Sequence, residues 1–296
     1  MTNAKPQVLT LHSHEDASVN FVSTDPDGVS EFRFVQRDLD YFIVYLSTHM
    51  GCNKHCRFCH LTQTGQTNYT KLTLPQITDG AARVLNHYDR LVVAGHPKAE
   101  RIHFNFMARG EPLEASVWNT HEILDILMAF ARARNLQPRI NISTIVPKTF
   151  SGDLSRAFPK EFPITPYYSC YSADKNFRDL WLPNAKPMGQ AVELLRTWQQ
   201  KTGNNIVLHW AFIAGENDST DQVDRLLDAV KTLRVSQINL VRYNPYSPQF
   251  GEEPAIEQLE TLRRYIARRY PDIMVRLVPR VGFDVKASCG MFVTPA

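Results

Sequence analysis

Residues 41–59 read YFIVYLSTHMGCNKHCRFC, and this stretch decides the fold. Its first eight residues, 41–48, are rich in β-branched and aromatic side chains, the composition of a buried strand. Cys52, Cys56 and Cys59 follow at once, so they fall on a loop at that strand's C-terminal end. Thiolates are the ligands of iron–sulfur clusters, and three of them on a four-iron cluster leave one iron open to a further molecule. The competing reading is a structural zinc ion with His55 or His60 as fourth ligand. Zinc sites more often carry two separated pairs than three ligands on one short loop, so the spacing favours a [4Fe–4S] cluster.

Outward from this loop, strands alternate with helices. Further strand candidates occupy 101–107, 139–146, 164–172, 205–213 and 237–244, and helical candidates 74–91, 117–134, 188–201, 220–233 and 255–270. The last helix opens after Pro254 and closes before Pro271, as the proline ring dictates. Six β–α units in series predict an α/β fold with a parallel sheet, a partial (β/α)6 barrel. Ahead of it, residues 7–36 fall into short apolar segments split by turn residues such as Asp25-Pro26-Asp27-Gly28, a small β extension. The expected division is therefore 1–40 for the extension and 41–296 for the barrel.

The 296 residues are 43% hydrophobic and 21% charged, a globular rather than a disordered composition. No apolar run approaches the roughly 20 residues needed to span a bilayer. The opening MTNAKPQVLTLHSHED lacks the charged start and apolar core of a signal peptide, so a cytoplasmic location is expected. Five cysteines without a secretory signal argue against a disulfide framework. A net charge of +3 permits a polyanionic partner without requiring one.

A barrel enzyme assembles its site from the C-terminal ends of its strands. Those ends are polar here: Met107-Ala108-Arg109-Gly110-Glu111-Pro112, then Ser143 and Thr144, then Ser169 and Tyr171, then Asn244-Pro245. Each alone reads as an ordinary turn or polar residue, but together they converge on one face. Glu111 can accept hydrogen bonds from an ammonium group, glycine permits close backbone approach, and Arg109 is a candidate for the mouth of the site.

The triad spacing, with an aromatic Phe58 before the last cysteine, resembles the signature of the radical S-adenosylmethionine (SAM) superfamily. More specifically, the chain resembles the RlmN/Cfr family of radical-SAM RNA adenine methyltransferases over roughly residues 41–292. The matching stretches are SxxxGCxxxCxFC at 47–59, FMxxGEPL at 106–113, ISTxVPK at 142–148, and Ser169 to Asn184 with Arg178 and Pro183-Asn184. GxNDS at 215–219, INLxxYNP at 238–245 and RxGxDxxAxCG at 280–290 continue the match. The resemblance implies that SAM joins the open iron and yields a 5′-deoxyadenosyl radical on one-electron reduction. It places Gly110, Glu111, Ser143, Ser169, Tyr171 and Asn244 on SAM-binding positions, with tyrosine at 171 where the family usually has histidine.

The same resemblance makes Cys289 the methyl carrier. One SAM methylates its sulfur, and a second supplies the radical that abstracts hydrogen from that methyl group, which then attacks C2 or C8 of an adenine. The family releases the product with a second cysteine seven residues before the triad, and here that position is Tyr45. Cys170, the other thiol outside the triad, reads either as a substitute or as a packing residue facing the helices. The family's general base falls on Glu31 after a one-residue shift, since the ungapped match is Phe32.

What the resemblance implies about partners is an RNA substrate, ribosomal or transfer, and an electron donor such as flavodoxin or ferredoxin, with the chain acting as a monomer. Bacterial members carry a helical N-terminal RNA-binding domain, for which some 40 residues leave little room. Arg263, Arg264, Arg268 and Arg269 form a basic stripe that reads either as an RNA contact or as a solvated face. Two other outcomes stay open: a radical-SAM enzyme with another product, and an RNA-binding relative that has lost turnover through the change at Tyr45.

Overall fold

The computed structural model describes residues 7–115 and 121–294. One ten-stranded sheet runs through them in chain order. β1 (Gln7–His12), β2 (Val19–Asp25), β3 (Gly28–Asp38) and β4 (Tyr41–Tyr45) form an antiparallel meander. From β4 onward every pairing is parallel, through β5 (Arg101–Phe106), β6 (Gln137–Thr144), β7 (Ile164–Ser169), β8 (Ile206–Ala211), β9 (Val235–Val241) and β10 (Met274–Leu277). A short α1 (His60–Gln63) follows the cysteine loop. The crossovers hold α2 (Leu74–Val93), α3 (Glu122–Arg132), α4 (Leu154–Ala157), α5 (Lys175–Trp181), α6 (Met188–Thr202), α7 (Thr220–Val230) and α8 (Ile256–Arg269).

Local chemistry sets the helix ends. A capping box starts α2: the Thr73 hydroxyl accepts from the Gln76 amide while the Gln76 side chain accepts from the Thr73 amide. Gly203 ends α6 in the left-handed region, at φ 78°.

Period-two alternation splits every barrel strand into two faces. Phe42, Val44, Ile102, Phe104, Ile140, Ile142, Leu208, Trp210, Ile238 and Leu240 point outward and join helix residues such as Val84, Leu127, Leu195, Leu226 and Leu262 in one core. Full burial of each such side chain is worth roughly 1.5–3 kcal/mol. The inward positions are mostly polar instead, with apolar Ile43 and Val207 between them: Tyr41 and Tyr45 on β4, His103 and Asn105 on β5, Arg139, Asn141 and Ser143 on β6, Tyr167 and Ser169 on β7, and His209 on β8. Many of them are only half-buried. The lumen is thus a polar, partly accessible space rather than a packed core.

All six strands and five helices expected from the sequence are present, although residues 117–120 of the helix expected over 117–134 lie outside the described residues. Beyond the expectation are the short helices α1, α4 and α5 and two features of the sheet. The β extension continues the barrel sheet directly, because β3 pairs with β4 from Arg33–Tyr45 to Asp38–Tyr41. A seventh parallel strand, β10, follows α8; its four residues alternate between exposed and half-buried, so they lacked the apolar signature of the others.

Candidate active site

The cysteine loop leaves β4 and is pinned at both ends. The Cys52 amide donates to the Gln66 carbonyl at 3.2 Å, the Arg57 amide to Trp181 at 3.0 Å, and the His60 amide to Gly290 at 2.9 Å. Burial pushes the Cys52 thiol up to about 12 and the Cys59 thiol up to about 11, and raises Cys56 well above its ordinary range. The neighbouring thiols raise one another further. Backbone amides offset part of this, Lys54 donating to Cys52, and Leu61 and Thr62 to Cys59. Three crowded sulfurs, wholly or partly buried, two of which already receive amide hydrogen bonds, suit a cationic iron–sulfur centre, which would hold them as thiolates.

Of the two histidines open to a zinc ion, His60 engages the Asn244 carbonyl through Nε2 at 2.9 Å and keeps a buried Nδ1 without a partner, while His55 is exposed at φ 52°.

Around the loop stand the expected SAM-binding residues. Gly110 has φ 100°, and a Cβ there would lie 2.3 Å from His49 Nδ1 and 2.6 Å from Thr48 Oγ1, so only glycine fits. Glu111 is buried beside it and accepts from the Leu113 amide at 3.1 Å and the Ile145 amide at 3.3 Å. Burial nonetheless pushes its carboxyl up to about 7. Ser143 and Ser169, on adjacent strands, meet at 3.0 Å between hydroxyls. The Tyr171 ring stacks on Phe58 of the cysteine loop at 4.1 Å, the backbone being left-handed at φ 54°. The Asn244 amide nitrogen donates to the Cys289 carbonyl at 2.9 Å, and its buried Oδ1 has no partner.

Cys289 lies on the segment after β10, which docks on the β extension. Val285 and Ala287 pack against Val35 and Ile43. The Asn20 amide group reaches the Val285 carbonyl at 3.0 Å, the Gly282 amide reaches Asp16 at 2.7 Å, and Asp284 accepts from Ser13 and from the His14 amide. The thiol is accessible, yet the surrounding wall pushes it up to about 11 against the opposing pull of Arg37 and Arg33.

Arg109 stands elsewhere than the sequence suggested, and Glu31 is held in a network of donors. Arg109 is not at the mouth of the site: it is buried, donating to Glu31 at 2.8 Å, Gln66 at 2.7 Å, and the Met50 and Val293 carbonyls. A guanidinium with every direction filled is an internal brace, which a single basic residue in a loop does not reveal. Glu31 is fully buried between Arg33 and Arg109 and also accepts from Asn20 at 2.7 Å and from the Val293 amide at 3.0 Å. Burial alone would raise its pKa, but Arg33, Arg109 and Asn20 override this and hold the carboxyl below the usual range. It can take a proton only after losing a donor.

Cys170 is fully buried on the helix side, in the main core, as the strand alternation implied. The Tyr45 phenol, at the position of the family's second thiol, accepts from Arg37 at 3.3 Å. Arg33 and Arg37 were not among the expected site residues. The alternation Glu31, Arg33, Val35, Arg37 against Phe32 and Phe34 was the available signal that both point into the barrel. On α8, Arg263 pairs with Glu260 and Arg269 with Asp224, while Arg264 and Arg268 are exposed.

The polar strand ends, the cysteine loop and the sheet order give a fold that solved radical-SAM enzymes share. A solved radical-SAM methyltransferase from Sphaerobacter thermophilus superimposes with a TM-score of 0.79 over 97% of this chain and 80% of its own, at 18% identity. Methylornithine synthase superimposes at 0.52 over 79% and 63%, at 11% identity. Within that class, the chain's sequence relatives are the RlmN proteins that the motifs pointed to. It is 28% identical to the probable dual-specificity RNA methyltransferase RlmN of Parasynechococcus marenigrum, over 83% of this chain and 68% of the relative. It is 25% identical to that of Thermosynechococcus vestitus, over 97% and 80%. No family model matches the chain. No helix among the described residues is long and apolar enough to cross a membrane.

Proposed function

We propose that the chain is a radical-SAM methyltransferase acting on an adenine carbon, C2 in the first instance, in ribosomal or transfer RNA. The observation that carries the reading is the bond from Asn244 to the Cys289 carbonyl. One residue of the SAM-binding set thereby holds the carrier segment, while its free Oδ1 remains for a ligand donor. Cys52, Cys56 and Cys59 would hold the [4Fe–4S] cluster, and the cluster with SAM supplies one-electron chemistry that yields a carbon radical. Glu111 would accept the ammonium group of SAM, with Gly110 giving backbone clearance and Ser143, Ser169 and Tyr171 lining the remainder. Cys289 would receive the methyl group and present it to the base. Glu31 is the candidate base only if Val293 or Asn20 withdraws; with both in place it anchors the carrier segment. Electrons would come from a reduced flavodoxin or ferredoxin, and the chain would act as a monomer.

Tyr45 sets this chain apart from the family pattern. With Cys170 sealed in the core, no second thiol among the described residues stands by to release a product bound through Cys289. The test is an anaerobic incubation of cluster-loaded protein with SAM, reductant and total RNA. Methyladenosine in digested RNA, or an RNA–protein adduct at Cys289, is the expected result. SAM cleavage with neither species would overturn the assignment of RNA as substrate.

A further inference from the structure

The lumen below Cys289 holds cations without acid partners. Arg37, on the inner face of β3, touches the Tyr45 phenol, its Nε has no partner, and it lies within electrostatic reach of Tyr41 and Cys289. Arg139, two positions below Asn141 on β6, bonds only the Thr165 hydroxyl at 3.4 Å. It borders a cavity of about 800 Å³ at the N-terminal end of β5, β6 and β7. Among the described residues neither group forms an ion pair: Asp40 is taken by Arg101, and Glu161, on the rim of the cavity that Arg139 borders, makes none with it. Flat rings line the lumen, and His103 among them also borders that cavity. Tyr41 stacks on His103 at 4.7 Å, and Tyr167 meets His209 edge to face at 5.7 Å. Burial pushes His103 and His209 down to about 4, so both are neutral near pH 7 and act as ring surfaces rather than as further cations.

Guanidiniums without an acid partner beside half-buried rings suit a ligand that is both anionic and aromatic. We propose that this lumen is a nucleotide site, in which Arg37 and Arg139 take the phosphate of a phosphorylated nucleoside and bring its base up to Cys289. The site deepens the methyltransferase reading, on which it rests for the role of Cys289. It also accounts for the residue at position 45, since the phenol holds the Arg37 guanidinium toward the lumen where the family would have a thiol. The phosphate belongs either to a free nucleotide or to an RNA strand, and the two share one recognition chemistry.

Cluster-loaded protein, saturated with SAM so that its own adenosine pocket is filled and kept without reductant, is titrated calorimetrically with adenosine, adenosine monophosphate and a seven-nucleotide RNA carrying a central adenosine. Wild type binds the monophosphate and the RNA at least about tenfold tighter than adenosine. Arg37→Gln and Arg139→Gln erase that preference, and Arg37→Lys restores part of it, with melting temperatures close to wild type. The tighter of the two phosphate ligands identifies the physiological source. Equal affinity for adenosine and its monophosphate in wild type, or an undiminished preference in Arg37→Gln, overturns the proposal. A lost preference in Arg37→Gln alongside a failed methylation assay leaves this site standing and removes only the methyltransferase reading.

Discussion

Glu31 carries its charge between two guanidiniums with no contact to water, and that arrangement is costly to break from one side. Glu31→Gln keeps the shape but leaves Arg33 and Arg109 without a counter-charge. An unfolding titration in urea should record a loss of about 3–5 kcal/mol; a change within about 1 kcal/mol of wild type would mean that other groups neutralise the pair. Gly110→Ala meets both a left-handed backbone and the His49 ring. It should cost about 1–3 kcal/mol and weaken SAM binding, read by calorimetry on the cluster-loaded protein. Cys289→Ser should retain the cluster's visible absorption and SAM cleavage while abolishing methyl transfer, because a hydroxyl is a far poorer acceptor of the methyl group than a thiolate. Loss of the absorption band would assign Cys289 to the cluster instead.

At the scale of elements, the β extension is the dock for the segment that bears Cys289. β2 and β3 supply Asn20, Glu31, Arg33 and Val35, and the turn before β2 supplies Asp16, all spent on residues 282–293. Asp16→Ala frees the Gly282 amide and should loosen the segment from one end. Hydrogen exchange is expected to accelerate by about tenfold across residues 282–293 while α2 and α3 keep their protection. Uniform acceleration would point to global destabilisation rather than release of a docked strap.

Across the whole molecule, buried neutral histidines set the acid limit of stability. Burial pushes His49, His87, His103 and His209 down to about 4. A depressed histidine contributes stability above its unfolded value near 6.5 and loses it as pH falls toward 4. Glu31, held low by its arginines, adds to the same trend below about 4.5. Glu111 runs the other way: raised to about 7, it favours the folded state below about 4.5 and loses that contribution as pH rises through 7. Thermal melts from pH 8 to pH 4 should therefore fall most steeply below 6.5. In Glu111→Gln the slope between about 4.5 and 7 should be steeper, because the opposing contribution is gone.

The sequence by itself determined the parallel β–α series, the cysteine loop and the polar strand ends, because these rest on local periodicity and on spacing within a few residues. It also placed Cys170 on the helix side, since strand alternation is a local rule. The position of Arg109 was decided only by tertiary structure: its partners come from residues 31, 50, 66 and 293, which no local pattern brings together. The same holds for Glu31 and for the docking of Cys289 on the β extension, where contacts span more than 250 residues of chain. Burial and long-range ion pairing decide whether a charged side chain is an open functional group or an internal brace, and both arise only when distant segments meet.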